Sequence, residues 1–176
     1  FTSLNTICPL NCGHIFYQGT IMTKPSRKKE AVLDLEIYPN YALFAFQIVG
    51  GGKRYIEIRG ETNKLSDEDR RTLGGIMRTF ETFGFNSNNF DMPLILYALS
   101  GATAKMLSNM ANAIIGERMS PWRTMMRYNL SKPRGFDHFD LMEPAPAVKV
   151  SLKLYGGRMH SKRLQDLPIR ILHHSA

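Results

Sequence analysis

Residues 31–59 decide the fold: Ala31-Val-Leu-Asp-Leu-Glu-Ile-Tyr38, Pro39-Asn40, Tyr41-Ala-Leu-Phe-Ala-Phe-Gln-Ile-Val49, Gly50-Gly-Gly52, Lys53-Arg-Tyr-Ile-Glu-Ile-Arg59. In the first run Leu33, Leu35 and Ile37 share one face, and Asp34 and Glu36 the other. That period of two is a half-buried strand. The second run is apolar on both faces, which suggests a central, buried strand. In the third, Ile56 and Ile58 alternate with Tyr55, Glu57 and Arg59. Pro39-Asn40 and the glycine run are turn signals. Consecutive strands joined by such short turns form an antiparallel meander.

Upstream, residues 14–23 hold Ile15, Tyr17 and Ile21 and read as an imperfect strand, and Lys24-Pro-Ser-Arg-Lys-Lys29 as a basic turn. Downstream the period changes. Ser66 is a good N-cap, and Asp67, Glu68 and Asp69 suit the positive end of a helix. Leu73, Ile76, Met77, Phe80 and Phe83 recur at helical spacing and predict one apolar stripe, with Gly84 as its stop. Residues 94–99 read as a buried strand by their length. Residues 102–115, with Met106, Met110, Ala113 and Ile114, read as a helix. Pro121, Pro133, Gly135, Pro144 and Pro146 then punctuate residues 116–146, predicting a long surface loop with a short strand near 124–130. Val148, Val150, Leu152 and Leu154 alternate with Lys149, Ser151, Lys153 and Tyr155, predicting a half-buried strand with a basic outer face.

The expectation is a single α+β domain: an antiparallel β-sheet meander packed against two or three α-helices. Its expected divisions are a flexible N-terminal segment at 1–12, a globular domain at 13–157 and a basic C-terminal tail at 158–176. A chain of 176 residues is one domain's length and can bury a core without disulfide or metal. Apolar residues are 43% and charged residues 22%, which excludes a disordered chain. The strongest apolar run, residues 93–99, is far below the ~20 residues of a membrane span. The start, Phe1-Thr-Ser-Leu-Asn-Thr-Ile-Cys8, lacks the basic and apolar regions of a signal peptide. Phe1 leaves room for an initiator Met or a longer arm ahead of it. Two cysteines are too few for a disulfide scaffold. The expectation is a soluble protein of a reducing compartment.

Motifs for chemistry are sparse. Cys8-Pro-Leu-Asn-Cys12-Gly-His14 is a zinc-like start, but a structural site needs a paired second half. His138, His160, His173 and His174 form no recognisable knuckle, so two free thiols and no metal are expected. Val49-Gly-Gly-Gly-Lys53 is followed by Arg54 and a strand, not by the helix of a phosphate loop, and reads as a hairpin turn. Asn129-Leu-Ser131 matches a glycosylation acceptor by chance. No H-E-x-x-H, G-x-S-x-G or paired-carboxylate motif is present. The chain is expected to be no enzyme, with no catalytic residue and no cofactor.

Charge says more. Lys and Arg number 23 and Asp and Glu 15, a net +8. Residues 1–88 hold 11 cations and 9 anions, residues 89–176 hold 12 and 6, so the excess lies in the second half. Lys24, Arg27, Lys28 and Lys29 join Arg118, Arg123, Arg127, Lys132, Arg134, Lys149 and Lys153 as a spread basic surface for an anionic membrane or nucleic acid. The bland reading is a solvated surface that keeps the chain soluble. Arg158, Lys162, Arg163 and Arg170 continue the charge into the tail. No RNP motif, K-homology loop or helix-turn-helix pattern is present, which argues against base-specific reading. Met106, Met110, Met119, Met125 and Met126 crowd one region, mostly as packing, some as an adaptable apolar contact surface.

The order of elements, with Met92-Pro-Leu-Ile-Leu-Tyr-Ala-Leu-Ser-Gly101 and Val148-Lys-Val-Ser-Leu-Lys-Leu-Tyr155, resembles the matrix proteins of rhabdoviruses. Its length is similar to those of plant-infecting cytorhabdoviruses. The likeness runs over residues 17–155. It implies a structural protein of the virion that self-associates beneath the envelope and acts in the host cytoplasm and at the inner membrane face. The implied partners are further copies of itself, the viral nucleoprotein–RNA, the anionic membrane surface and the viral glycoprotein. It also implies that the apolar N-terminal residues Phe1, Leu4, Ile7, Pro9 and Leu10 dock on a neighbouring protomer. Animal members often carry a P-P-x-Y budding motif and a Lys-rich N-terminal arm; this chain has neither, and Glu143-Pro-Ala-Pro146 is no substitute. The rival readings are a viral nucleic-acid-binding accessory protein, such as a silencing suppressor or movement protein, and an enzyme with a deep polar pocket.

Overall fold

The alternation at 31–59 becomes two hairpins. A computed structural model describes residues 28–144, together with Leu152 and Leu154. In it β1 (Lys29–Tyr38), β2 (Tyr41–Ile48) and β3 (Lys53–Arg59) pair antiparallel in sequence order. Leu33 lies opposite Phe46, Leu35 opposite Phe44, and Phe44 opposite Ile56, all on one buried face. Burying each such side chain contributes roughly 1.5–3 kcal/mol. The glycine run is the hairpin turn expected of it. Gly50 takes a φ of 71°, where a side chain would be strained, and Gly51 N–H donates to Ile48 O at 3.0 Å.

Helix α1 (Asp67–Thr79) starts as its sequence predicts, with Ser66 Oγ accepting from Asp69 N–H at 3.0 Å. Leu73, Ile76 and Met77 are buried. Phe80 and Phe83 do not continue the stripe. The chain passes directly into β4 (Phe80–Gly84), which pairs parallel with the second edge of β1, Ala31 opposite Thr82. Pairing that edge satisfies backbone groups that a longer helix would leave open, so Gly84 closes a strand rather than a helix.

Residues 94–99 belong to a helix, not a strand. Helix α2 (Asp91–Leu99) has seven of its nine residues buried, so it shows no polar face by which to recognise a helix. Pro93 lies in its first turn, where the missing N–H costs nothing. Helix α3 (Ala104–Gly116) follows, capped by Thr103. The expected loop at 116–146 contains helix α4 (Pro121–Arg127) where a short strand was predicted, then β5 (His138–Asp140). Ser120 caps α4 and Pro121 takes its first position, where proline favours a helix start.

The sheet order is β3-β2-β1-β4-β5. The β4–β5 pair is also parallel, so the antiparallel meander grows into a mixed sheet. Four helices pack with it among the described residues, rather than two or three. Helix α3 packs on β1 and β2, α1 on β4, α2 on α1 and α3, and α4 on α2. The α+β class holds. Leu152 and Leu154, expected in a half-buried strand, are helical and exposed. The expected strand at 14–23, the segment 1–12 and the tail 158–176 lie outside the described residues.

Candidate functional site

Helix α4 exposes what a folded chain usually covers. Its inner side, Thr124, Met125 and Tyr128, faces the body, and the Tyr128 ring lies 5.2 Å from that of Tyr97. Its outer side carries Trp122, 73% exposed, and one turn later Met126, 65% exposed. Residues four apart share a helix face, so the two form one apolar ridge. Ile115, at the end of α3, is 66% exposed.

Five expected cations lie in the segment around this ridge. Arg118 is exposed just after α3, with a φ of 49°. Arg123 and Arg127 are on α4 itself, and Lys132 and Arg134 are exposed in the connection to β5. Arg127 Nη1 donates to both Glu117 carboxylate oxygens, at 2.8 and 2.7 Å, and Arg123 lies 3.9 Å from the same group. These hydrogen bonds from Arg127 hold the Glu117 carboxyl below its usual range. Five cations therefore meet one bound carboxylate, and the segment stays strongly positive. Met110 and Met119 are buried, whereas Met106 and Met126 are exposed, so the Met-rich region divides into packing and surface.

The other expected cations are not gathered here. Lys28 pairs with Asp137 at 2.8 Å and donates to Gly135 O at 2.7 Å, tying β1 to the approach to β5. Lys29 is exposed at the start of β1. Lys24, Arg27, Lys149 and Lys153 lie outside the described residues, as do Phe1, Leu4, Ile7, Pro9 and Leu10, and Cys8, Cys12 and His14. Among the described residues no group of three or more His, Cys, Asp and Glu is placed to hold a metal. No helix among them is long and apolar enough to cross a membrane.

A buried polar knot joins β4, β5 and α2, and no motif announced it. Thr82 and Ser87 have no exposed surface. The Thr82 hydroxyl donates to Asp137 O at 3.2 Å, so it accepts from His138 Nδ1–H at 2.9 Å. Nε2 is then left to accept from the Ser87 hydroxyl at 2.7 Å. Asp140 accepts three backbone N–H groups, from Asn86, Asn88 and Met142, at 2.8–3.0 Å. Burial pushes His138 down to about 4, with Lys132 adding to the effect. Burial pushes Asp91 up to about 7, helped by the carboxylates of Asp34 and Asp140. A serine beside a histidine suggests a nucleophile and its base. Here the serine is sealed from solvent, a hydroxyl rather than a carboxylate meets Nδ1, and the imidazole is a weak base. The arrangement clamps the 85–90 turn onto β5. Gly84 makes room for it, since a Cβ there would lie 2.5 Å from Ser87 Cβ.

No family model, curated protein or solved structure matches this chain. The ridge itself was within reach of the sequence. Ser120-Pro121 is a helix-start pair. Starting a helix there puts Trp122 and Met126 on one outer face.

Proposed function

We propose that this chain is a non-enzymatic viral structural protein of the matrix type. It attaches to an anionic membrane surface through α4, self-associates, and bridges the nucleoprotein–RNA to the inner leaflet of the envelope. The observation that carries the reading is the ridge of Trp122 and Met126, exposed on α4 within a segment of five cations. Tryptophan favours the headgroup level of a bilayer, and basic residues flanking an apolar face suit anionic lipid. Each Lys or Arg near such a surface contributes ~1 kcal/mol. Helix α4 has only seven residues, so insertion is shallow and the summed charge supplies most of the attraction. Single substitutions of basic residues therefore matter little and combined ones a great deal.

An exposed tryptophan among arginines also suits stacking on an unpaired base. That feature favours the one rival reading, an accessory protein that binds viral nucleic acid. Co-sedimentation with phosphatidylserine vesicles and, in parallel, with single-stranded RNA across a salt series separates the two. Vesicle binding that is lost when Arg118, Arg123, Arg127, Lys132 and Arg134 are neutralised together supports the matrix reading. Tight RNA binding with vesicles ignored replaces it with the rival.

A further inference from the structure

Where α4 packs on α2 the two helices leave a cleft of about 270 Å³. Met92 and Leu96 of α2 and Pro121 and Met125 of α4 give it apolar walls. Pro121 and Met125 directly precede Trp122 and Met126, so cleft and ridge are neighbouring faces of one short helix. Thr124, on the inner side of α4, has no exposed surface, and its hydroxyl has no hydrogen-bond partner. A buried orphan of this kind weakens a contact, so α4 is held loosely enough for the cleft to widen. Two charged residues, Lys132 and Glu143, complete the lining, and both are exposed. Neither forms an ion pair, with the other or with any other described residue. Glu143 Oε1 accepts from Asn88 Nδ2 at 2.5 Å, and Oε2 has no donor among the described residues.

Size and charge together narrow the occupant. Sites for drug-sized ligands span roughly 300–1,000 Å³, so this cleft has room for one hydrocarbon chain and not for a whole lipid. Methionine walls adapt to a flexible chain. The unpaired cation and carboxylate on its lining call for a ligand that carries both signs. We propose that the cleft takes one acyl chain of phosphatidylserine, with the lipid phosphate at Lys132 and its ammonium at Glu143. Phosphatidylserine is also net anionic, as the basic segment around α4 requires. Phosphatidylglycerol has the same net charge and no ammonium, so plain charge attraction does not separate the two lipids, whereas the cleft does. The inference rests on the lipid reading of α4 and names the lipid.

The test follows methionine methyl resonances of the full chain while dihexanoyl phosphatidylserine, a water-soluble lipid, is added below its micelle concentration. Met92→Leu and Met125→Leu variants assign the two cleft methyls, and a Met126→Leu variant assigns the ridge. The cleft methyls should shift and saturate. Dihexanoyl phosphatidylglycerol should bind about threefold to fivefold more weakly, the size of one exposed ion pair. Glu143→Gln, which keeps an acceptor for Asn88, should abolish that preference, and Lys132→Gln should weaken both lipids. Circular dichroism checks that both variants are folded. Cleft methyls that do not move, as when another segment of the chain already fills the cleft, overturn the proposal. So does a shift confined to Met126, or equal affinity for the two lipids. Vesicles separate this inference from the reading beneath it. If the chain binds phosphatidylserine vesicles while the cleft methyls stay still, the membrane reading stands and the cleft fails. If the soluble lipid fills the cleft while vesicles are ignored, the cleft stands and attachment through α4 fails.

Discussion

Two regions of this molecule invert the usual distribution of polar and apolar groups, and they do so for different reasons. At the β4–β5 junction polar side chains are inside: Thr82, Ser87, His138 and Asp140 are buried or half-buried and hydrogen-bonded. At α4 apolar side chains are outside: Trp122 and Met126 stand in solvent with nothing described over them. The first inversion is closed. Every hydrogen bond named in it ends on another group of the same chain, and folding accounts for it. The second is open, and folding does not account for it, because a ridge of this kind only gains by leaving water for another surface. A buried polar cluster is therefore the weaker pointer to function here, although it is the more conspicuous chemistry.

The contrast predicts that damage at the knot is read in stability and damage at the ridge in binding. The largest effect should come from Asp140→Ala, which leaves three backbone N–H groups without their acceptor. Each buried orphan costs roughly 1–3 kcal/mol, so urea denaturation should show a loss of about 3 kcal/mol or more. Gly84→Ala should follow, at about 1–3 kcal/mol, because its Cβ would overlap Ser87 in a packed site. A Gly84→Ala protein as stable as the original would show that the turn is loose.

The knot also contains opposed titrations. The folded His138 sits at about 4, below its ordinary 6.5, so the unfolded chain binds the proton more readily. Its contribution is full above pH 6.5 and is lost as pH falls toward 4. The folded Asp91 sits at about 7, above its ordinary value, so its contribution is full at low pH and is lost as pH rises to 7. Between pH 4 and 6.5 the two slopes oppose. Relative to the unaltered chain, Asp91→Asn should make stability rise with pH there, and His138→Gln should make it fall. One whole proton gives about 1.4 kcal/mol per pH unit, and the His138 part is smaller because the ring is partly solvated. Identical pH profiles for the three proteins would remove the coupling.

The smallest stability effect belongs to the ridge. Trp122→Ala with Met126→Ser should change stability by only about 0.5 kcal/mol, as at other surface sites. The same pair should weaken vesicle binding about tenfold or more, since it removes the apolar anchor. Equal vesicle binding would reduce α4 to a plain basic patch.

The same contrast governs what the sequence discloses. Residues 31–59 could be read because each strand has one wet and one dry face, and the period of two survives in the side chains. Ser66 and its acidic followers announced α1 for a similarly local reason. Helix α2 could not be read, because burial on all sides erases its period. The parallel placing of β4 was equally hidden, since it depends on an edge of β1 some fifty residues earlier in the chain. Pro121 misled in the opposite direction: taken as a breaker, it is a helix start, and that one reading conceals Trp122. The cations at 118–134 were visible as composition, but not their apolar neighbour. The partners of His138, Thr82 and Ser87, lie more than fifty residues earlier in the chain, so no spacing rule could assemble them.

The central claim is that α4 meets an anionic lipid surface, and the chain supplies its own probe, because it contains a single tryptophan. Trp122 fluorescence should be followed while phosphatidylserine vesicles are added to the full chain at low salt. The account predicts a blue shift that saturates with lipid, reverses with salt and is absent for phosphatidylcholine vesicles. Bound protein whose emission stays at the wavelength of a solvated indole would contradict it, since the chain would then reach the membrane by some other surface.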